Sequence, residues 1–187
     1  MTHYSSVYRD RGIWEHWHDK EFSDYKGKEV QFIEPLVSEE TKKNVILYGN
    51  NGTGKSMLMN IALKNLLHRG KEVYVIDFRM LVNEYVSSWG RSDLINHILT
   101  VDYLGIDDLG KEYNISDNSK ELAVTTLDFI MRYRYQRELS TWLTFNFGLK
   151  DIKPVYGEHL ASLLKRNTIA VTFDGSDYGD NLFKKAR

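Results

Sequence analysis

The sequence of 187 residues contains no cysteine, only two prolines and no long hydrophobic run. The absence of cysteine excludes disulfides, thiolate-bound zinc, iron–sulfur clusters and thiol catalysis. No apolar stretch approaches the roughly 18 residues that a membrane helix needs. The N-terminal segment is polar and aromatic, without the apolar core of a signal peptide. We therefore expect a cytoplasmic protein without a membrane partner.

The chain also lacks a charge excess of either sign. Lysine and arginine total 25 against 26 aspartates and glutamates, for a formal net charge of -1. Because proteins that grip nucleic acid over their whole surface are usually basic, any DNA contact must use a local patch. The densest basic segment places Tyr133 and Tyr135 between arginines, although a solvated helix face is the alternative interpretation. The candidate DNA-contacting residues are Arg79, Arg91, Lys111, Arg132, Arg134, Arg137, Lys165 and Arg166.

From Asn44 onward, short β-rich runs alternate with longer helical patterns. This alternation predicts a parallel sheet with crossover helices. The earlier residues, 1–43, do not fit the pattern, and we interpret them as an N-terminal arm. The predicted strands are Asn44 to Tyr48, Glu72 to Asp77, Asp102 to Asp107, Thr141 to Asn146 and Thr168 to Phe173. The predicted helices run from about Lys55 to His68, Arg79 to Ser88, Ser92 to Leu99, Lys120 to Arg137 and Tyr156 to Lys165.

A glycine-rich segment, GNNGTGKS, lies between the first predicted strand and the following helix. It matches G-x-x-x-x-G-K-[ST] in full, the pattern of a loop whose backbone N–H groups surround phosphates. The positive end of the helix dipole adds to this anion site. Lys55 can neutralise the β- and γ-phosphates, and the Ser56 hydroxyl can ligate Mg²⁺. The residues predicted to bind ATP are Gly49, Asn50, Asn51, Gly52, Thr53, Gly54, Lys55, Ser56 and Met57.

Polar residues follow two other predicted strands. Asp107 and Asp108 end the third strand, and Asn146 ends the fourth. In a P-loop fold, Asp107 would hold Mg²⁺ and Asp108 would orient and deprotonate the attacking water. Asn146 could hydrogen-bond the γ-phosphate or that water, or simply start a turn. We therefore predict Lys55, Asp108 and Asn146 as catalytic residues, with Ser56 and Asp107 as the metal ligands.

Taken in order, the segments GNNGTGKS, GIDDLG and TFN resemble the Walker A, Walker B and sensor 1 motifs of the DnaC/IstB group of AAA+ ATPases. That group includes helicase loaders and transposition helper ATPases. The resemblance implies an α/β P-loop NTPase fold of the AAA+/ASCE class, with a five-stranded parallel sheet in the order 5-1-4-3-2 flanked by helices. The resemblance covers roughly Gly12 to Tyr178, and the predicted AAA+ core is residues 44–187. Other segments that resemble the family are Gly12-Ile13, Phe22 to Tyr25, Tyr156 to Glu158 and Gly175 to Tyr178.

Three features depart from the family pattern. Leu163 stands where the family usually places an arginine that reaches the neighbouring protomer's ATP, although Lys165 or Arg166 could substitute. Gly179 follows Tyr178 where the family usually has an arginine that contacts phosphate. Because such an arginine raises turnover roughly a thousandfold or more in related hydrolases, we expect weak intrinsic hydrolysis. Family loaders also usually carry a separate N-terminal helicase-binding domain, so either the arm or the core would hold the partner site here.

The resemblance implies an ATP- and Mg²⁺-dependent helicase loader that acts in DNA replication. Its expected partners are a replicative helicase, single-stranded DNA and further copies of the chain. A transposition helper ATPase is the nearest alternative, and a hydrolysis-deficient nucleotide switch is another. A small-molecule kinase is disfavoured because the loop EYNISDNS contains no arginine for a mobile lid.

The arm is rich in aromatic residues, for which two interpretations remain open. They could form a docking surface for a partner, since exposed aromatics make good anchors. They could instead cover the sheet edge and the adenine pocket, where the resemblance places this segment. A transition-metal site is disfavoured because the two histidines near Trp17 have no further ligands at a suitable spacing. The residues concerned are Trp14, His16, Trp17, His18, Phe22 and Tyr25.

Overall fold

Five parallel strands form one sheet in the computed structural model, which describes residues 4–110 and 117–175. The strands follow the order β2-β3-β4-β1-β5, and this confirms the predicted order. The sheet thus places β4 between β1 and β3, whose C-terminal ends carry the glycine-rich loop and the acidic pair. The strands are β1 (Asn44–Gly49), β2 (Val73–Asp77), β3 (Tyr103–Leu109), β4 (Ser140–Phe145) and β5 (Thr168–Phe173).

Helices flank the sheet, and two of them start at least three residues earlier than predicted. The helix between β3 and β4 starts at Asp117 rather than Lys120, and the last helix starts at Ile152 rather than Tyr156. The last helix bends at Gly157, where φ is 83°, and this break hides its first turn from a periodicity search. The helices are α1 (Ser5–Asp10), α2 (Val30–Ser38), α3 (Lys55–His68), α4 (Phe78–Ser87), α5 (Asp93–Thr100), α6 (Asp117–Tyr135) and α7 (Ile152–Lys165).

Two apolar cores cover the two faces of the sheet, because successive strand residues point to opposite sides. On β1, Ile46 packs into the core formed with α4 to α7, whereas Val45 and Leu47 pack into the core formed with α2, α3 and the arm. Burial on both faces is typical of parallel sheets with crossover helices. No helix of the described residues is both long and apolar enough to cross a membrane.

The N-terminal arm covers the exposed edge of the sheet at β2. The Val75 N–H donates a hydrogen bond to the Arg11 carbonyl (2.9 Å), and Arg11 also pairs with Glu72. Gly12 follows with φ of 70°, and a Cβ there would lie 1.9 Å from the Val75 carbonyl oxygen. A side chain at this position would therefore push the arm off the strand. The contact satisfies an edge N–H that would otherwise be open to pairing with another chain.

Arg134 is fully buried and does not belong to a DNA-binding surface, so its assignment to the predicted basic cluster is wrong. Its guanidinium donates to the carbonyls of Ile98 (2.7 Å), Val101 (2.9 Å) and Ser140 (2.6 Å). Burial lowers the pKa of Arg134 to about 9. The side chain ties the end of α5 to the start of β4. Of its neighbours in the cluster, Arg132 pairs with Asp128, and Arg137 lies over the Tyr133 ring.

Substitution of Gly12 tests how tightly the arm fits the sheet edge. We expect Gly12→Ala to lower the free energy of unfolding by about 3 kcal/mol, because the methyl group meets the Val75 carbonyl in addition to the left-handed strain. Gly70→Ala is the matched control, since Gly70 has φ of 80° with nothing within 4 Å of an added Cβ. It should cost about 1 kcal/mol. Urea denaturation measures both values, and equal losses would contradict the close approach.

Candidate functional site

The glycine-rich loop joins β1 to α3 at the C-terminal edge of the sheet. Gly54 adopts φ of 89° directly before the helix, and a Cβ there would lie 2.8 Å from the Tyr25 ring. Lys55, the first residue of α3, is buried and donates from Nζ to the carbonyls of Gly49 (3.0 Å) and Asn50 (2.5 Å). The loop therefore closes around its own ammonium group. Phosphate oxygens, being charged, are stronger acceptors for such a group than carbonyls.

Asp107 lies on β3 directly beside the start of α3 and is fully buried. Its Oδ1 accepts hydrogen bonds from the Ser56 hydroxyl (2.9 Å) and the Thr144 hydroxyl (2.5 Å). Its Oδ2 is buried without a hydrogen-bond partner among the described residues. Burial raises the pKa of Asp107 above its ordinary value. The hydrogen bonds from the two hydroxyls lower this pKa and the nearby Asp108 and Asp77 carboxylates raise it, each less strongly than burial does.

These groups fit a divalent metal ion. Mg²⁺ prefers oxygen ligands and is usually held by one or two carboxylates together with phosphate and water. The orphaned Oδ2 of Asp107 needs a cation or a donor to offset its burial, and the Ser56 hydroxyl bonded to the same carboxylate is a second oxygen that could hold a metal ion. In the described residues, no cluster of three or more His, Cys, Asp or Glu side chains forms another metal site. The donor set therefore matches a metal that also needs ligands from a bound phosphate.

Asp108 departs from the strand geometry around it. The pairing of β3 with β4 shifts register between Ile106 and Leu109, and Asp108 has φ of 69°. Its N–H donates to the Thr144 hydroxyl (2.8 Å), while its Oδ1 accepts from Asn146 Nδ2 (2.7 Å). In a regular strand, consecutive side chains would face opposite sides of the sheet. The bulge instead lets both carboxylates reach one cavity.

This cavity has a volume of about 490 Å³, within the range of small-molecule sites. It brings together the predicted loop residues from Asn51 onward with both aspartates and Asn146, and Gly49 and Asn50 form the loop's entry next to it. Thr144 was missed by the sequence analysis, although a hydroxyl two residues before Asn146 in TFN was a usable signal. The lining residues are Trp14, Trp17, Asn51, Gly52, Thr53, Gly54, Lys55, Ser56, Met57, Asp107, Asp108 and Asn146.

Three aromatic residues of the arm reach this site. Trp14 and Trp17 line the cavity, and Trp17 Nε1 is buried without a hydrogen-bond partner among the described residues. The Tyr25 ring packs on Gly54, and its hydroxyl lies 3.2 Å from the Thr53 carbonyl. This placement favours cover of the pocket over an outward docking surface for these three residues. His18 donates from its ring to the Ile13 carbonyl (2.7 Å) within the arm.

Leu163 and the two cations that could substitute for its missing arginine lie away from the cavity. Leu163 is buried in the core, so its side chain is not presented to a neighbouring molecule. Lys165 and Arg166 are exposed at the end of α7, where the chain enters β5 at the edge of the sheet opposite the loop. Of the candidate DNA contacts, Arg79 and Arg91 are exposed. Lys111, the loop from 112 to 116 and the pair Tyr178-Gly179 lie outside the described residues.

Solved structures of replication proteins share this fold. A DnaC helicase loader superposes with a TM-score of 0.74 at 23% identity, over 86% of this chain and 100% of its own. DnaI gives 0.71 at 20% identity, over 86% and 94%. The replication initiator DnaA, bound to AMPPCP and single-stranded DNA, gives 0.71 at 17% identity, over 93% and 55%. No protein-family model and no curated protein matches the sequence. The fold is thus the AAA+ P-loop fold expected from the motifs.

Asp107→Asn tests whether the site is built for a cation. Its raised pKa means that folded Asp107 holds its proton to higher pH than the unfolded chain does. Ionisation therefore costs stability as pH rises above the ordinary carboxyl value, and the cost is absent below it. In EDTA at pH 7 we expect Asp107→Asn to raise the free energy of unfolding by about 1 kcal/mol, with the gain vanishing near pH 3.

The control for this experiment is Asp77→Asn. Asp77 caps α4 by accepting from the Arg79 and Met80 N–H groups, and asparagine can keep that role. Its unfolding free energy in EDTA at pH 7 should therefore stay close to that of the unsubstituted protein. Thermal or urea unfolding between pH 3 and 8 measures both variants. Destabilisation of Asp107→Asn at neutral pH without metal would contradict a carboxylate poised for a cation.

Proposed function

We propose that the chain is a DnaC-like AAA+ ATPase that binds Mg²⁺ and ATP in this cavity and acts as a helicase loader in DNA replication. The observation that carries the proposal is the meeting of the Ser56–Asp107 and Asp108–Asn146 pairs with the glycine-rich loop around one cavity. The shared fold with DnaC and DnaI supports the family assignment. The catalytic and binding roles of these residues are part of the proposal.

Each side chain has a distinct task in this mechanism. Lys55 leaves the loop carbonyls and neutralises the β- and γ-phosphates. Ser56 and Asp107 would hold Mg²⁺, which would offset the negative charge of the phosphates. Asp108 accepts a proton from the attacking water, and Asn146 orients the carboxylate of Asp108 through the 2.7 Å hydrogen bond. Thr144 holds the bulged backbone by accepting from the Asp108 N–H.

Hydrolysis by the isolated chain is weak in this proposal. Leu163 lies in the core, and the exposed Lys165 and Arg166 lie at the opposite edge of the sheet from the loop. Neither cation is placed to stabilise charge on the phosphates of its own chain. A basic residue of a neighbouring copy would have to supply that charge, so efficient turnover needs a homo-oligomer.

The proposed partners are single-stranded DNA and a replicative helicase. The DnaC of known structure is described as a helicase loader, and the DnaA structure holds single-stranded DNA together with AMPPCP. The arm, residues 1–43, and the core from residue 44 onward would then act as one ATP-controlled unit. A transposition helper uses the same site and remains the second candidate, separated from the first by the identity of its partner.

Lys55→Ala tests nucleotide binding and partner binding together. We expect it to weaken binding of Mg²⁺-AMPPCP at least about 100-fold, because the buried ammonium is the cation of the loop. Lys71→Ala is the control, since Lys71 pairs with Glu40 on the surface. Isothermal titration calorimetry measures the affinities. In a pull-down with ATP, the unsubstituted chain and Lys71→Ala should retain the replicative helicase of the source cell, and Lys55→Ala should not. Retention of a transposase instead would replace the helicase-loader proposal with the second candidate.

Steady-state ATP hydrolysis tests the missing arginine. We expect turnover below about 1 per second for the purified chain, with an increase on addition of single-stranded DNA. Asp108→Asn should abolish hydrolysis and keep AMPPCP affinity, because the carboxamide keeps its size but loses the base. Rapid turnover by the chain alone would refute the predicted dependence on a neighbour. Stimulation by a nucleoside or metabolite rather than DNA would indicate a kinase.

A further inference from the structure

A row of polar residues follows one face of α3 from the phosphate site to the end of the helix. Ser56, Asn60, Lys64 and His68 are spaced by four residues, so they lie on successive turns. Asn60 and Lys64 are buried in an otherwise apolar part of the helix. Buried polar side chains cost stability unless they are hydrogen-bonded. The hydrogen-bond partners of these side chains therefore indicate the role of the row.

Each member beyond Ser56 bonds to the N-terminal arm. Asn60 accepts from the Trp14 N–H (3.3 Å). Lys64, only 1% exposed, donates to the carbonyls of His18 and Lys20 and to Glu21 Oε1 (2.9 Å). His68 shares a hydrogen bond with the Tyr8 hydroxyl (2.5 Å). Three side chains on successive turns of α3 thus hold the arm by hydrogen bonds.

Asn60 is also bonded back toward the phosphate site. Its Nδ2 donates to the Ser56 carbonyl (2.8 Å), and the Ser56 hydroxyl in turn donates to Asp107. One fully buried amide therefore connects the turn that carries the proposed Mg²⁺ ligand to the backbone of Trp14, whose side chain lines the cavity. Tyr25 makes a second connection, from the arm to the loop at Thr53 and Gly54. The arm is thus attached both to the cavity wall and to the helix behind it.

We propose that the polar row makes the arm a strap whose attachment depends on the nucleotide, with Asn60 as the positioning residue between Ser56 and Trp14. The inference rests on the proposed nucleotide binding. A nucleotide that bridges the loop and the tryptophans adds contacts that exist when the arm is fastened and are lost when it opens. Because coupling between two equilibria is reciprocal, a nucleotide that lowers the equilibrium constant for arm opening about tenfold must itself bind about tenfold more weakly to the open form.

Hydrogen exchange read by mass spectrometry tests this strap on the full chain with Mg²⁺-AMPPCP. In the unsubstituted protein, we expect the nucleotide to slow exchange of residues 8–25 about tenfold. In Asn60→Leu, which keeps the branched shape and the number of heavy atoms but removes both hydrogen bonds, that slowing should fall to less than about threefold while the rest of α3 stays protected. Asn65→Leu is the matched control, since Asn65 makes the same kind of bond to the Ile61 carbonyl but none to the arm in the described residues. It should behave like the unsubstituted protein.

Calorimetry with AMPPCP on the same samples separates this inference from the proposed function. Failure of the unsubstituted chain to bind would overturn both. Binding without any change in the exchange of residues 8–25 would overturn the strap alone, and so would a full response in Asn60→Leu. Lys64→Met is a second, independent test variant if Asn60→Leu does not fold. It should speed exchange of residues 8–25 without nucleotide and weaken AMPPCP binding only as far as the open form becomes populated, by at most about tenfold. Unchanged exchange would count against the strap.

Discussion

Two consecutive carboxylates can serve one cavity only where their strand breaks its alternation, and this constraint shapes the proposed site. The bulge at Asp108 turns a residue that would face the opposite side toward Asn146. Left-handed backbone at a non-glycine residue is costly and persists where the surroundings fix it. Here the Thr144 hydroxyl fixes it by accepting from the Asp108 N–H while donating to Asp107. One side chain of β4 therefore sets the geometry of both acids.

The glycine-rich loop and the arm also depend on each other for their packing. The loop needs a residue without a side chain at Gly54, and the space this leaves is occupied by the Tyr25 ring from the arm. The arm in turn lies on α3 through Asn60 and Lys64 and on β2 through Arg11. Removing the arm would expose a sheet edge and two buried polar side chains at once. The described part of the arm, residues 4–43, thus packs against the sheet and α3, although its sequence shows no strand–helix alternation.

Both ends of α3 could be predicted from the sequence pattern, because a strand, a glycine-rich turn and a helix in register leave little freedom, whereas the sheet order was implied by the resemblance of the motifs to the DnaC/IstB group. The shift of register at Asp108 could not, since it depends on pairing with β4, which is distant in the chain. Arg134 was misassigned for a related reason. Its spacing from Arg132 and Arg137 resembles a basic helix face, but only tertiary structure shows that carbonyls of α5 and β4 surround it. Gly157 likewise hid the first turn of α7 by breaking its period.

Arg134 and Asp107 are equally buried but differ in whether the fold satisfies their polar atoms. Both side chains are fully buried, and burial disfavours the charged form of each. The guanidinium finds carbonyl acceptors from both chain segments that it joins, so its role is complete within the fold. One oxygen of the Asp107 carboxylate accepts from two hydroxyls, and the other has no donor among the described residues. This carboxylate lies at the wall of a cavity that Lys55 also lines. Since an unsatisfied buried charge costs free energy, the position of Asp107 beside that cavity favours a cation there, and the proposed Mg²⁺ would supply the missing positive charge.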